Sequence, residues 1–186
     1  MNLIFKAAKE ITEFFDSFGW SFCIIGGLAN QCHGEPRTTH DVDLTLLTGV
    51  GSEQYYAEKI LGSFKARIDH ALEFSIKNRV LLIESSDGIP LDISFGALPF
   101  EEEMILRSSN FEFMKDISLK ICSAEDLFIM KAFASRPKDW LDAEGIAKKQ
   151  KSSLDRIYIM KHLEILAELK EESEIITKSE KILGLK

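Results

Sequence analysis

The amino-acid sequence predicts an α/β (α+β) fold, in which a core of strands and helices is followed by a helical C-terminal part. Short β-prone segments alternate with helical segments as far as about residue 121, whereas only helical periodicity follows. The chain has 186 residues, enough to bury roughly 70% of its unfolded surface without disulfides. We therefore predict two parts: residues 1–121 form the α/β core, and residues 122–186 form a helical part packed on it.

The N-terminal elements follow from apolar spacing and from glycines. Asn2 is a suitable N-cap for a first helix with a 3.6-residue apolar period, and Gly19 is its stop. Residues 20–25 form a β-prone run closed by two glycines, and residues 28–33 favour a short helix. The predicted order is strand, glycine turn and helix.

The middle of the chain contains further strands. Residues 41–47 favour a buried strand, and Ser52 caps a following helix, whereas residues 67–78 are predicted to be helical or irregular. Three more strand candidates are residues 79–84, 91–95 and 119–121.

The C-terminal third is predicted to be helical. Ser123 and Asp126 resemble the two ends of a capping box, and Pro137 interrupts the helix that begins there. Further helices are expected near residues 138–149, 154–170 and 174–184.

Composition limits the classes of partner. The formal net charge is -7 and the pI is about 5.2, which argues against broad, sequence-independent nucleic-acid binding. A locally held RNA and a cationic small molecule both remain compatible with this charge. One basic stripe is seen, for which a solvated helix face is the favoured interpretation: Lys148, Lys149, Lys151, Arg156 and Lys161.

Cysteine usage and hydropathy bear on the cellular compartment, and the cysteines favour a reducing one. The three cysteines are odd in number and lack C-x-x-C spacing, and Cys32, His33 and His40 match no closed zinc pattern. Lysines interrupt the N-terminal region, and no run approaches about 18 apolar residues. We predict a cytoplasmic protein with no membrane partner.

Carboxylates in two predicted strands indicate a cation site. Asp41 and Asp43 flank one apolar residue, so in a strand both side chains project from the same face. Like charges there repel and lose hydration, a cost that cations offset. Asp92, in another apolar strand, would complete a two-metal cluster or act as a general base. The alternative for the Asp41–Asp43 pair is a polar strand end at a turn.

The glycine pair precedes these carboxylates. Gly26 and Gly27 lack a Cβ, which allows close approach of a phosphate to the backbone at a helix N-terminus. In isolation, a tight strand-to-helix turn would be the simpler interpretation. Asp41 follows Gly27 by 14 residues, enough for a short helix and a return loop, so the joint pattern favours one site.

Together these motifs resemble the nucleotidyltransferase superfamily that shares the fold of DNA polymerase β. Its hallmarks are a glycine motif, the pattern h-D-h-D-h and a distant third carboxylate, matched here by Ile25-Gly26-Gly27, Asp41-Val42-Asp43 and Leu91-Asp92-Ile93. Lys131 and the run Arg136-Pro-Lys-Asp139-Trp-Leu-Asp142 also resemble the small prokaryotic branch of AbiEii-type toxin nucleotidyltransferases. The likeness covers roughly residues 20–147 and implies a small mixed β-sheet nucleotidyltransferase core flanked by helices.

The resemblance implies roles for particular residues. Asp41, Asp43 and Asp92 would be catalytic and would bind Mg²⁺, in a two-ion site that Mn²⁺ would also fit, and Asp92 would assist deprotonation of the acceptor. Six residues would contact the nucleotide: Gly26, Gly27, Arg37, Thr39, Lys131 and Asp142.

Several of these assignments have simpler alternatives. Lys131 would contact the triphosphate, or it would be a surface lysine with a solvated head. Asp142 shares a helix face with Asp139 and would contact nucleotide or acceptor, although acidic residues also suit a helix start. Arg37 and Thr39 would touch phosphate or brace their loop.

Two classes of function follow. The first is an enzyme that moves NMP from an NTP to a hydroxyl of an RNA or tRNA end, a protein or a cationic small molecule such as an aminoglycoside or lincosamide. The AbiEii-type likeness implies a toxin of a toxin–antitoxin pair, with an antitoxin as partner. The second is a catalytically degenerate fold that acts as a regulatory or antitoxin-like protein-binding module. The degenerate class is suggested by Gly27, because many superfamily members have serine at that position. Retention of three mutually repulsive aspartates argues against a degenerate site.

Overall fold

The structure is a computed structural model that describes residues 3–185. Asn2, the predicted helix cap, lies outside these residues. The chain divides into two compact units. The first comprises the chain up to Leu28 together with Thr38–Cys122, and the second comprises Ala29–Arg37 together with the chain from Ser123 onward. The separation of residues 1–121 from 122–186 as two parts stays a prediction.

The N-terminal two thirds of the described chain contain strands and helices in alternation. The helices are α1 (Leu3–Ser17), α2 (Gly26–His33), α3 (Glu53–Leu61), α4 (Ala71–Asn78) and α5 (Pro99–Arg107). The strands are β1 (Phe22–Ile24), β2 (Val42–Leu47), β3 (Lys65–Ala66), β4 (Val80–Glu84), β5 (Pro90–Gly96), β6 (Ser109–Met114) and β7 (Ile117–Ile121).

The seven strands form one mixed sheet in the first unit, in the order β3-β4-β5-β2-β1-β7-β6. The pairs β2/β5 and β1/β7 are parallel, whereas β1/β2, β3/β4, β4/β5 and β6/β7 are antiparallel. The predicted fold class, a mixed sheet flanked by helices, is confirmed.

The central strands β2 and β5 have one fully buried face and one polar face. In β2, Val42, Leu44 and Leu46 are completely buried, and the intervening positions begin with Asp43. In β5 the buried residues Leu91, Ile93 and Phe95 alternate in the same way with Asp92 and Ser94. Because strand side chains alternate between faces, burial of the aliphatic set directs both aspartates to the opposite face.

Helix α1 packs its apolar side on this sheet. Ala7, Ile11 and Phe15 are fully buried, and the helix ends before Gly19, whose φ of +66° suits a residue without Cβ. The predicted first helix and its stop are therefore confirmed. Phe18, which fits the apolar period of the predicted helix, follows the last helical residue and is 43% exposed.

The remaining predictions for this part differ in detail. The strand predicted over residues 20–25 is the shorter β1, and α2 begins at the first glycine instead of after the pair. The segment predicted to be helical or irregular contains α4. The sequence prediction missed α5 and β6. All but one residue of β6 are exposed, since it is an edge strand, so it lacks the alternating burial that identifies a strand.

The second unit is helical, as predicted for the C-terminal part. Its elements from residue 124 onward are α6 (Ala124–Ala134), α7 (Pro137–Gln150), a 3₁₀ turn (Lys151–Ser153), α8 (Arg156–Lys170) and α9 (Glu174–Leu183). Ser123 is the N-cap of α6 and accepts a hydrogen bond from the Asp126 amide at 3.1 Å, which confirms the predicted cap. Among residues 3–185, no helix has the length and apolar character needed to cross a bilayer.

Candidate active site

Three carboxylates converge on the polar face of the sheet. Asp41 immediately precedes β2, Asp43 lies within it, and Asp92 lies on the parallel neighbour β5, directly paired with Asp43. One carboxylate oxygen from each residue lies within 4.8 Å of the others, and all three side chains are partly exposed. The parallel register, which the sequence does not reveal, unites residues 49 positions apart.

The glycine pair lies against this cluster because it has no side chains. Gly26 has a φ of +60°, and a Cβ there would lie 1.9 Å from Asp43 Oδ2. The amide of Gly27 donates to the same Oδ2 over 3.4 Å, and a Cβ on Gly27 would lie 2.2 Å from Thr39 Oγ1. The first turn of α2 thus packs directly against β2 and against the loop that enters β2. Contact of these glycines with phosphate stays a prediction.

Thr39 also contacts the acidic cluster. Its hydroxyl donates to Asp41 Oδ1 at 2.8 Å, so the loop that enters β2 is fastened to the first carboxylate. Of the two sequence interpretations for this residue, phosphate contact and bracing of the loop, this hydrogen bond supports the second.

Sequence reasoning missed Arg67, which pairs with the third carboxylate. Its Nη2 donates to Asp92 Oδ1, and its backbone amide donates to the Leu82 carbonyl at 3.0 Å. Burial raises the pKa of Asp92 above its ordinary value and the negative charge of Asp41 adds to the effect, although Arg67 opposes both. No local motif marks Arg67, because its place depends on the pairing of β4 with β5.

A second ionic cluster lies within the second unit. It contains three predicted nucleotide-site residues together with two further charged residues: Arg37, Lys131 and Asp142, with Arg136 and Asp139. Lys131 Nζ lies 3.2 Å from Asp139 Oδ1 and 2.8 Å from Asp142 Oδ2. Arg37 binds Asp142 through two parallel hydrogen bonds of 2.9 and 3.0 Å, and Arg136 binds Asp139 at 2.5 Å. Lys131 is only 7% exposed, so the interpretation as a solvated surface lysine is wrong.

The cationic partners in this cluster lower the pKa values of its two carboxyl groups. Burial acts to raise the pKa of Asp139, but hydrogen bonds and charge from Arg136 and Lys131 prevail and lower it. In Asp142, Arg37 and Lys131 likewise overcome burial and lower the pKa. Three cationic side chains thus lie around two carboxylates, and such side chains also bind anionic ligands in proteins.

The predicted site residues therefore fall into two groups. Gly26, Gly27 and Thr39 contact the aspartates of the first unit. Arg37, Lys131 and Asp142 contact one another in the second unit. Their roles toward nucleotide stay predictions.

The donor chemistry of the acidic cluster fits a hard divalent cation. Its ligands are carboxylate oxygens, with neither thiol nor imidazole among the three residues, and such oxygens suit Mg²⁺ and Mn²⁺. The cost of holding three carboxylates within one site is what a bound cation would offset.

A mixed sheet with two aspartates at the start of one strand, a third on its parallel neighbour and a glycine turn against them has the architecture of a nucleotidyltransferase. The sequence profile of a family described as "Nucleotidyl transferase AbiEii toxin, Type IV TA system" matches residues 16–181. The chain belongs to this AbiEii family of toxin nucleotidyltransferases. It is a nucleotidyltransferase, as the sequence predicted.

Solved structures support the fold. An antigenic nucleotidyltransferase-like protein from Paracoccidioides brasiliensis is 14% identical, with a TM-score of 0.55 over 95% of this chain and 94% of that one. The antibiotic-resistance factor ANT(2″)-Ia, in its solution structure, is also 14% identical, with a TM-score of 0.58 over 91% of this chain and 96% of that one. At this identity the likeness concerns the fold alone. No match was found among curated proteins.

Proposed function

We propose that the chain transfers the nucleoside monophosphate of an NTP to a hydroxyl group and releases pyrophosphate, with divalent cations held by Asp41, Asp43 and Asp92. The observation that carries this proposal is the approach of the three carboxylates to within 4.8 Å of one another, in a chain of the AbiEii family. Mg²⁺ is the expected ion, and Mn²⁺ would serve in its place. When bound, the ions would polarise the transferred phosphoryl group and favour the attacking alkoxide.

The protein groups have separate tasks in this proposal. Asp41 and Asp43 hold the cations, because their oxygens share one face at the start of β2. Asp92 completes the ligand set and would accept the proton of the attacking hydroxyl at its carboxylate, a role supported by its place on β5, directly paired with Asp43. Arg67 donates a hydrogen bond to Asp92 Oδ1, where its positive charge would compete with a divalent cation for the carboxylate.

The nucleotide phosphates would be recognised by two kinds of group. The Gly27 amide, in the first turn of α2, would attract an oxyanion, as amides at helix N-termini do. Lys131 and Arg37 would supply positive charge, since lysine and arginine are the side chains that bind phosphate groups. Asp142 binds both Arg37 and Lys131 through its two carboxylate oxygens and so orients the two cations. From this position Asp142 would contact the nucleotide or the acceptor.

The acceptor classes are an RNA or tRNA end, a protein hydroxyl and a cationic small molecule. The family description, a toxin of a type IV system, favours a cellular macromolecule and implies a cognate antitoxin as partner. The fold similarity to an antibiotic-resistance factor and the net charge of -7 favour a cationic small molecule. In either case the site of action proposed is the cytoplasm.

Calorimetric titration of ATP, GTP, CTP and UTP, with and without Mg²⁺, tests the donor site before any acceptor is known. The wild type is expected to bind at least one NTP in a Mg²⁺-dependent way, and Asp41→Asn/Asp43→Asn is expected to lose this binding. Asp16→Asn, at an exposed position of α1, is the matched control and should bind as wild type.

Transfer is then followed with the labelled NTP and three acceptor pools: total tRNA, cell protein, and aminoglycosides with lincosamides. Label in one pool, lost in Asp43→Ala, would name the acceptor. Binding of no nucleotide by the wild type would refute the enzyme proposal and favour a protein-binding module with a degenerate site.

A further inference from the structure

The side chain of Thr39 fills the space between the glycine turn and the first carboxylate. Its Oγ1 lies 2.8 Å from Asp41 Oδ1, to which it donates. A Cβ built on Gly27 would meet the same Oγ1 at 2.2 Å, Thr39 Cβ at 2.6 Å and Thr39 Cγ2 at 3.2 Å. One threonine side chain therefore occupies the volume that a side chain at position 27 would need.

Asp41 has particular need of such a contact. It lies one residue before β2, so it is not among the residues paired in the β2 ladder, whose register begins at Val42. A hydroxyl that donates to a carboxylate forms a charge-assisted hydrogen bond, and the β-branched threonine has few χ1 rotamers. The Thr39 hydroxyl is therefore a rigid hydrogen-bond donor to Asp41, a residue that the strand pairing of β2 does not include.

We propose that Thr39 is a positioning residue for Asp41, and that positions 27 and 39 share room for a single hydroxyl-bearing side chain. The geometry makes the two positions interdependent. Serine at position 27 is excluded while threonine occupies position 39. Glycine at position 39 would remove Cβ, 2.6 Å from the new side chain, as well as Oγ1, and the serine Oγ, one bond beyond its Cβ, would then reach the volume vacated by Thr39 Oγ1. The inference rests on the proposed cation site, since Asp41 is to be held for a cation.

Single substitutions at position 39 separate the hydroxyl from its volume. Thr39→Val keeps the shape and removes the donor, so we expect Mn²⁺ binding to weaken by about tenfold, within the range found for residues that orient metal ligands. Thr39→Ser keeps the donor and should bind within about twofold of wild type.

The reciprocal exchange tests the shared volume. Gly27→Ser alone is expected to lower both stability and Mn²⁺ affinity, because its Cβ overlaps Thr39. The double variant Gly27→Ser/Thr39→Gly, which removes the Cβ of residue 39 as well, should recover part of the stability and most of the Mn²⁺ affinity, with Mn²⁺ affinity at least about fivefold above that of Gly27→Ser.

The matched control is Thr45→Val in β2. Thr45 is completely buried, and its Oγ1 has no hydrogen-bond partner within the part of the chain that the structure describes. Loss of an unpaired hydroxyl should leave Mn²⁺ affinity unchanged.

The experiment is a calorimetric Mn²⁺ titration of each purified full-length variant without nucleotide, accompanied by urea unfolding without metal. Equal Mn²⁺ affinity of Thr39→Val and wild type would overturn the positioning role. Recovery of stability without recovery of Mn²⁺ affinity in the double variant would overturn the shared hydroxyl. If the double variant does not fold, the Val and Ser variants at position 39 still decide the positioning role. A wild type whose Mn²⁺ binding is absent, or is unaffected by Asp41→Asn, would instead refute the proposed cation site.

Discussion

Replacement of Gly26 by alanine is expected to displace Asp43 and so to damage the carboxylate cluster. The new Cβ would lie 1.9 Å from Asp43 Oδ2, so the carboxylate must retreat by about 1.5 Å to reach ordinary van der Waals contact at 3.4 Å. It would also lie 2.6 Å from Asp43 Cβ, which no side-chain rotation moves, so the backbone must shift as well. A displacement of about 1 Å can lower an enzymatic rate by about 100-fold. We therefore expect nucleotidyl transfer to fall at least about 100-fold, and Mn²⁺ affinity at least about tenfold.

The backbone also contributes a cost, which a second glycine measures separately. Gly26 has a φ of +60°, where an alanine costs about 1 to 2 kcal/mol. Gly19 has a φ of +66°, and a Cβ there would have nothing within 4 Å. Gly19→Ala should therefore lose similar backbone stability and retain Mn²⁺ affinity, so the comparison isolates the contact with Asp43.

The assay combines urea unfolding with Mn²⁺ calorimetry and, once an acceptor is known, single-turnover transfer. A folded Gly26→Ala protein that binds Mn²⁺ as tightly as Gly19→Ala would refute the reasoning. It would mean that Asp43 can ligate a cation from a position other than the one in the structure.

The remaining predictions concern the ionic contacts of the two clusters. Arg67→Gln should tighten Mn²⁺ binding several-fold at low salt, because a cation that competes for the Asp92 carboxylate is removed, whereas Lys65→Gln, at an exposed position of β3 two residues earlier, should change it little; equal Mn²⁺ affinities of Arg67→Gln and wild type would show that Arg67 does not compete. Lys131→Met should cost about 3 kcal/mol in urea unfolding, because buried carboxylates lose a partner, against less than about 0.5 kcal/mol for Lys138→Met at an exposed site of α7; a cost below about 1 kcal/mol would contradict this. The pKa of Asp139 is lowered by its partners, so its contribution to stability is complete above the ordinary value of 3.8 and is lost as the pH falls through the lowered pKa. The difference in unfolding free energy between wild type and Asp139→Asn should therefore be constant from pH 7 to pH 5 and shrink below pH 4, and a difference that grows on acidification would reverse the assignment.

The active-site strand was predictable because its signal is local. Alternation of aliphatic residues with Asp41 and Asp43 fixes the side-chain face through the two-residue period of a strand, and burial follows this period from Val42 to Leu44. Asp92 was found in the same way, but its distance from Asp43 was not. That distance depends on parallel pairing with β2, which no residue near Asp92 reveals.

The glycine pair was identified correctly as a feature of the site, with an incomplete physical reason. The sequence suggested room for a phosphate, whereas the structure shows that Asp43 and Thr39 fill the space where side chains would be. These neighbours lie 12 to 17 residues away along the chain, so they cannot be identified from a local sequence motif.

Arg67 and the buried state of Lys131 were beyond sequence reasoning for the same cause. An arginine after a two-residue strand and a lysine in the last turn of a helix are ordinary surface patterns. Arg67 reaches Asp92 because β4 pairs with β5, and Lys131 is buried because α7 brings Asp139 and Asp142 against α6.

The sequence by itself determined the secondary elements with strong periodicity, the three aspartates and glycines of the site, and the superfamily, since each depends on residue type and on spacing along the chain. Tertiary structure alone decided which carboxylates meet, which side chains fill the glycine turn, and which charges are paired and buried. The physical reason is that hydrogen bonds and ion pairs depend on distance in space, and strand register and helix packing set that distance between residues far apart in the chain.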